Sequence, residues 1–210
     1  AYADELAHIM GWGFEHMQAE DGGAVYLRLS TRVINQPQRN FADIADDVIA
    51  GAYWLREPEP GTELAIAYTG VIAPEAMAAH EAILEDIPGA GLLAITSADR
   101  LYENWQATTR AHAQGPGVAP AHIENLLSSL APDAGLVTVL DGHPMTLSWL
   151  GSVANHNIAA LGMESFGQSG DLQDIYRIHG IDADAILDGA AAVITKRMRR
   201  QGNGLRIAAA

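Results

Sequence analysis

The feature that most constrains this chain is a pair of short apolar runs, Leu92–Thr96 (LLAIT) and Leu136–Leu140 (LVTVL), each set between stretches of helical periodicity. A strand with one wet face alternates apolar and polar residues. A run that is apolar throughout needs cover on both faces. Strands of that kind alternating with helices specify a mostly parallel sheet with helices packed on either side. The expected fold class is therefore α/β.

The flanking segments fill in the order. Asp4–Met17 has the spacing of an amphipathic helix with Leu6, Ile9, Met10, Gly13 and Met17 inward. Glycines 11 and 13 inside it point to close packing against another backbone. Ala24–Ser30 (AVYLRLS) reads as a strand. Residues 31–42 lack a period and carry Pro, Asn and Gln, which marks a linker and divides the chain into 1–42 and 43–210. A short helix follows from Asp43 to Ala50, stopped by Gly51. Tyr53–Arg56 and Glu63–Thr69 read as two strands joined by the turn EPEPG, a hairpin that would place an antiparallel strand at the sheet edge.

The remainder alternates. Helices are expected over Pro74–Ile87 (Met77, His80, Ile83, Leu84 and Ile87 inward), Leu101–Ala113, Ala121–Leu130 and Pro144–Ala154, with a further strand at Ile158–Leu161. Asp171 caps a helix that ends at His179–Gly180. Asp182 caps the last helix, to about Arg200, with Ile186, Leu187, Ala190, Val193 and Ile194 inward.

Charge and composition exclude several functions. The formal net charge of −14 opposes binding to phosphate backbones, so no nucleic acid partner is expected. No cysteine occurs, which removes disulfides, thiolate metal sites and a cysteine nucleophile. No apolar run is long enough for a membrane span and no signal peptide opens the chain, so no membrane is expected and the cytoplasm is the expected location. Five of the twelve Lys and Arg residues gather near the end: Lys196, Arg197, Arg199, Arg200 and Arg206. They fit a helix C-terminus or a docking patch for an acidic partner. Ala1 is not an initiator Met and a helix begins almost at once, the pattern expected of a fragment or a processed product.

No glycine-rich dinucleotide loop, phosphate loop, nucleophile elbow or His-Glu-x-x-His pair is present. His112 and His122 flank a loop and read as solvated rather than metal-binding. The most chemical-looking stretch is TVLDGHPMTLSWLGSVA (138–154), where Asp141 and His143 stand past the end of a strand. In open parallel sheets that carboxyl edge forms the ligand crevice, and a histidine there could serve as acid or base. The same two residues could equally cap the following helix and line a subunit contact. In GMESFGQSGDLQDIYRIHGIDADAI (162–186), Gly167 and Gly170 could open a helix N-terminus to an anion. Asp171 already occupies that cap, which favours a simple turn.

Several of these segments together resemble one family. FGQSGDLQDIYRIHGIDADAI is similar to the final segment of the transketolase superfamily, where Phe-Gly-x-Ser precedes a Leu/Ile-Tyr helix and a Gly-Ile turn, and VTVLDGHPMTLSWLGSVA is similar to its strand–His–helix segment. YADELAHIMGWGFEHMQAEDGGAVYLRLST resembles the last helix and strand of the pyrimidine-binding middle domain. LLAITSADRLYENWQATTRAH resembles the homodimeric pyruvate dehydrogenase decarboxylating subunit and relatives acting on other 2-oxo acids. Transketolases proper are similar at Gly167 and Ser169 but less so from Thr96 to Trp105. The close pyruvate dehydrogenases carry Arg and Asp where Gln168 and Gly170 stand here, which leans toward a divergent branch.

The resemblance implies a transketolase C-terminal-domain-like three-layer sandwich over 43–210, preceded by a helix–strand remnant of the middle domain over 1–42. It implies the C-terminal portion of a 2-oxo acid dehydrogenase component that is structural and dimer-forming and inactive alone. A transketolase, or a free-standing dimerisation or regulatory module, are the alternatives. The complete enzyme would bind thiamine diphosphate and Mg²⁺, with none held by this segment, which carries neither the Gly-Asp-Gly…Asn metal motif nor the region of the activating Glu. Its partners would be the N-terminal and middle domains, a homodimer mate and a dihydrolipoyl acyltransferase core. No catalytic, cofactor or metal residue is assigned; Asp141, His143 and Ser169 are the cleft or interface candidates.

Overall fold

A computed structural model describes residues 1–208, with the side chains of residues 202–208 outside the description. The basic-tail residue Arg206 falls in that range. The elements run α1 (Ala3–His16), α2 (Ala45–Ala50), β1 (Ala52–Arg56), β2 (Thr62–Thr69), α3 (Ala73–Ile83), β3 (Gly91–Ile95), α4 (Ala98–Gln114), α5 (His122–Leu127), β4 (Leu130–Leu140), α6 (Met145–Ser148), β5 (Asn157–Leu161), α7 (Leu172–Ile178) and α8 (Ala183–Ala208). Single 3₁₀ turns stand at Phe41–Asp43, Gly70–Ile72 and Trp149–Ser152.

The five strands form one sheet in the order β1-β3-β2-β4-β5. All neighbours are parallel except β1, which pairs antiparallel with β3 at the edge. The expected hairpin is absent: β3 lies between β1 and β2. The reason is burial. β2 is apolar on both faces (Leu64 to Tyr68 are all buried) and belongs in the middle of the sheet, flanked by β3 and β4. The EPEPG segment does turn, with the Thr62 N–H donating to the Glu59 carbonyl at 3.0 Å, but the strands on either side of it are not paired with each other. The Glu59 N–H donates to the Gly89 carbonyl and the Gly61 N–H to the Ser129 carbonyl, at 3.0 and 2.7 Å.

Alternation along the strands divides the core into two layers. Ile66, Tyr68, Leu92, Val137 and Val139 face α3 and α8, where Ala76, Ile83, Ile186, Ala190 and Val193 are buried. Ala65, Ala67, Leu93, Leu136 and Leu140 face Leu101 of α4, Ile123 and Leu127 of α5 and Leu147 of α6. The result is a three-layer α/β sandwich. α8 approaches β4 so closely that a Cβ on Gly135 would lie 2.4 Å from Val193 Cγ2, so any larger residue there must push the helix off the sheet. α8 is capped as expected, with the Ala185 N–H donating to Asp182 at 3.0 Å. It runs on well past Arg200.

Other expectations need correction. Ala24–Ser30 is extended but joins no sheet, and its backbone makes no hydrogen bond among the described residues. Residues 1–42, expected to hold a helix and a strand, thus hold a helix and a segment that pairs with no strand among the described residues. α1 turns inward a face rotated from the one expected: Gly13 is buried and Ile9 packs on the core as expected, but Tyr2 and Glu5 are buried with them while Met10 and Met17 are exposed. β4 begins six residues earlier than the apolar run, because Pro132 sits beside a register shift against β2, where the lost N–H costs no regular ladder bond. The expected helix 144–154 is one α-turn followed by a 3₁₀ turn, and the helix expected to reach Leu130 ends at Leu127 as the chain enters β4.

Candidate functional site

The carboxyl ends of β2, β3 and β4 lead into Thr69, Thr96 and Asp141, the edge where a crevice was expected. Asp141 is half-buried directly past Leu140, and His143 is exposed. His143 Nδ1 accepts from the Met145 N–H at 3.2 Å, so the imidazole caps the turn of α6. The Gly142 carbonyl accepts from the Met163 N–H at 2.7 Å and ties the loops after β4 and β5 together. Ser169 lies in a fully exposed loop with Phe166, which is 98% exposed. Among the described residues no hydrogen bond joins Ser169 to Asp141 or His143. Asp171 accepts from the Gln173 N–H at 3.0 Å and fills the N-cap of α7, as the turn reading required.

The chain itself crosses this edge. The Arg28 guanidinium lies 3.1 Å from where a Cβ on Gly142 would stand, past β4. Arg32 Nη1 donates to the Val71 carbonyl past β2 at 3.3 Å. Both its Nη atoms bond to Glu75, each at 2.8 Å, and the guanidinium stacks 5.5 Å over the Tyr176 ring. Burial pushes the Tyr176 hydroxyl up, and the nearby Asp141 carboxylate adds to the rise. Arg39 then reaches Tyr53, at the start of β1, beside the carboxyl end of β3. Residues 24–40 therefore form a strap across the carboxyl edge, bolted by Arg32 and Arg39 with Arg28 lying against Gly142.

The strap and α1 meet the sheet at a polar cluster that local sequence reading missed. Glu5 is 2% exposed. It accepts from Tyr53 Oη at 2.5 Å and from the Tyr2 N–H at 2.9 Å. Arg39 grips Asp4 through Nε and Nη2 at 2.8 and 2.6 Å and donates through Nη1 to Tyr53 Oη at 2.5 Å. Its guanidinium lies 5.0, 5.6 and 5.1 Å over the rings of Tyr2, Phe41 and Tyr53. The Arg39 hydrogen bonds hold the Asp4 carboxyl below its usual range. Burial, then the Glu5 charge, keeps Tyr53 protonated far above its ordinary value. The polar groups satisfy one another, so the cluster fixes α1 to β1 and presents no free nucleophile or base. A Glu on the buried stripe of α1 was the one local signal of it.

The other candidates are structural. His112 Nε2 bonds to the Val118 carbonyl at 3.1 Å and His122 Nε2 to the Ala52 carbonyl at 2.7 Å. Among the described residues no three His, Cys, Asp or Glu side chains could hold a metal ion. Arg197 of the basic stretch pairs with Asp133 at 3.0 Å and with Glu63, while Lys196, Arg199 and Arg200 are exposed. Trp12 and Trp149 are part-buried: Arg100 lies 4.3 Å over Trp12, and Trp149 stacks on Trp105 at 5.3 Å. No helix among the described residues is long and apolar enough to cross a membrane.

No family model matches the chain. In sequence it is similar to the pyruvate dehydrogenase E1 component of Mycolicibacterium smegmatis, 26% identical over 201 residues that cover 89% of this chain and 21% of that protein. In structure it is similar to a transketolase from Leishmania mexicana, with a TM-score of 0.50 and 17% identity over 72% of this chain and 19% of the other. The chain has the fold of a transketolase C-terminal domain. It resembles the C-terminal part of a transketolase-superfamily enzyme and spans about a fifth of the length of these relatives. A transketolase from Pichia stipitis overlaps 72% of this chain and 19% of its own, with a TM-score of 0.48 at 18% identity.

Proposed function

We propose that the chain is the C-terminal portion of the decarboxylating component of a pyruvate-like 2-oxo acid dehydrogenase, and that it builds and joins subunits rather than catalysing alone. The observation that carries this reading is the sequence similarity to an E1 component over 89% of the chain. The likeness to transketolase structures, at 17% identity, supports the shared fold.

In the complete enzyme, thiamine diphosphate and Mg²⁺ would supply the electron sink for decarboxylation. The residues of this chain do not fit that group. The carboxyl edge is filled by the strap, whose Arg32 is already paired with Glu75 and whose Arg39 is paired with Asp4, and among the described residues no three side chains could hold a metal ion there. No step through the cofactor is therefore assigned to this segment. Its surface supports an assembly role instead. Tyr26 and Leu29 in the unpaired segment are 87% and 65% exposed, and Met10, Phe14 and Met17 form an outward apolar face on α1. These fit a middle-domain sheet that would take up residues 24–30, and a second copy against α1. An acyltransferase core would be the further partner.

The test is turnover by the intact protein. A 2-oxo acid with an artificial electron acceptor should be consumed; ketol transfer between sugar phosphates instead would establish the transketolase reading, which the segment around Gly167 and Ser169 favours. Calorimetry on the chain alone should detect no thiamine diphosphate binding with Mg²⁺ present, and micromolar affinity would refute the placement.

A further inference from the structure

We propose that the outer edge of β1 is a docking groove for an extended, basic peptide segment of a partner protein. The inference stands whichever reaction the intact protein runs.

β1 is an edge strand with one neighbour, β3. The Gly51 carbonyl faces inward and accepts from the Thr96 and Ser97 N–H groups at 2.9 and 3.1 Å. The Ala52 carbonyl faces the other way, to His122 Nε2. Antiparallel ladders alternate residue by residue, so the Trp54 N–H and C=O share the outward direction of Ala52 and have no strand beside them. A bulge between Trp54 and Arg56, then Pro58 and Pro60, ends the ladder. The free backbone is short and centred on Trp54. That is enough to place a few residues of an added strand and too little to invite open-ended aggregation.

A groove of about 530 Å³ opens beside it, lined among others by Asp47, Trp54, Glu57, Pro58, Pro60 and His122. Its floor is rigid. The indole N–H of Trp54 donates to the Leu126 carbonyl at 3.3 Å, and the ring lies so close over Gly91 that a Cβ there would come within 2.7 Å of it. Among the described residues, two carboxylates and no Lys or Arg line the groove, on a chain of net charge −14. A guanidinium or ammonium carried by an extended segment would sit between Asp47 and Glu57 against the indole, while its backbone pairs with Trp54. Backbone pairing supplies affinity, and the carboxylates select the sign of the charge.

Titration calorimetry of the full chain tests this with four probes: a capped alternating Arg-Val octapeptide, its Glu-Val counterpart, argininamide, and the Arg-Val peptide with alternate amides N-methylated. The Arg-Val peptide should bind with a submillimolar Kd that weakens as salt is raised. The Asp47→Asn/Glu57→Gln double variant should weaken it about tenfold with unchanged circular dichroism. Trp54→Phe, which keeps an aromatic floor, should weaken it less. No binding of the Arg-Val peptide, or equal binding of the Glu-Val peptide, would overturn the proposal. So would equal affinity for argininamide or the N-methylated peptide, or full affinity in the folded double variant.

Discussion

The sandwich and the strap solve the same problem by opposite means. In the sandwich, stability comes from apolar side chains sealed on both faces of the sheet, with Leu93 and Leu136 on one side and Ile66 and Val137 on the other. In residues 24–40 no core exists. Arg32 and Arg39 hold the segment by hydrogen bonds, ion pairs and ring stacking, Arg28 rests against Gly142 and Ile34 leans on the sandwich core, while Tyr26 and Val33 stand 87% and 95% exposed. Burial in the first region is non-directional and large; the contacts of the second are directional, few and partly wet. The comparison teaches that the strap is positioned by the sandwich and finishes nothing for it, which leaves its outer face for something else to cover.

Four measurements can break or sharpen that contrast. The largest effect belongs to the sandwich: Leu136→Ala should cost about 2–5 kcal/mol by leaving a cavity, whereas Leu29→Ser in the strap should stay within about 0.5 kcal/mol. Equal losses in thermal denaturation would mean the strap has a core of its own. Next, Tyr53→Phe should cost about 1–3 kcal/mol, because the buried Glu5 carboxylate loses a donor where the two regions meet. A neutral result in urea titration would show that Glu5 is reached by water. Third, Arg32→Met should cost about 1–2 kcal/mol by removing the two bonds to Glu75, and should raise protease cleavage within 24–33 before any global unfolding. Unchanged cleavage would argue that Arg28 and Arg39 suffice.

The smallest effect is one of pH: its sign is the same in both regions, and its pH window differs. His156 is buried at the start of β5 with neither ring nitrogen hydrogen-bonded, though the Ala134 carbonyl and the Asp133 carboxylate lie close. Burial outweighs both and lowers its basicity. The unfolded chain therefore takes up this proton first. The sandwich keeps the full contribution above about pH 6.5 and loses it as pH falls from there toward the folded value. Asp4, held low by Arg39, keeps its full contribution down to the ordinary carboxylate value of about 3.9 and loses it as pH falls from there toward its folded value. On acidification the sandwich should soften before the α1 contact does. His156→Leu should flatten the first limb and leave the second, as read from denaturant midpoints across pH; an unchanged first limb would acquit His156.

How far the sequence reached follows from the range of the forces involved. The runs at 92–96 and 136–140 sat in their strands because double-sided burial is written in adjacent residues. Asp171 and Asp182 capped α7 and α8 because capping spans three residues. The hairpin failed because strand order depends on how far each strand is buried, and nothing between Arg56 and Thr62 records that β3 will enter the gap. The face of α1 was partly misjudged: Ile9 and Gly13 turn inward as their spacing requires, but Met10 and Met17 look like core and are not, while Glu5 is drawn inward by Tyr53, far along the chain. The candidate site was half legible. Asp141 and His143 do stand at the carboxyl edge, but the strap that fills it comes from more than a hundred residues earlier, and Ser169 sits in an exposed loop where no side chain among the described residues bonds to it.

The close seating of α8 on β4 sets a rule for change in this protein. With Gly135 beneath Val193, the helix and the central strand can drift only in concert: a gain of one methyl on the strand demands a smaller residue on the helix. Variants of this chain should therefore tolerate free variation along the strap but show matched substitutions at these two positions, a covariation that would mark the hinge line of the domain's history without reference to any active site.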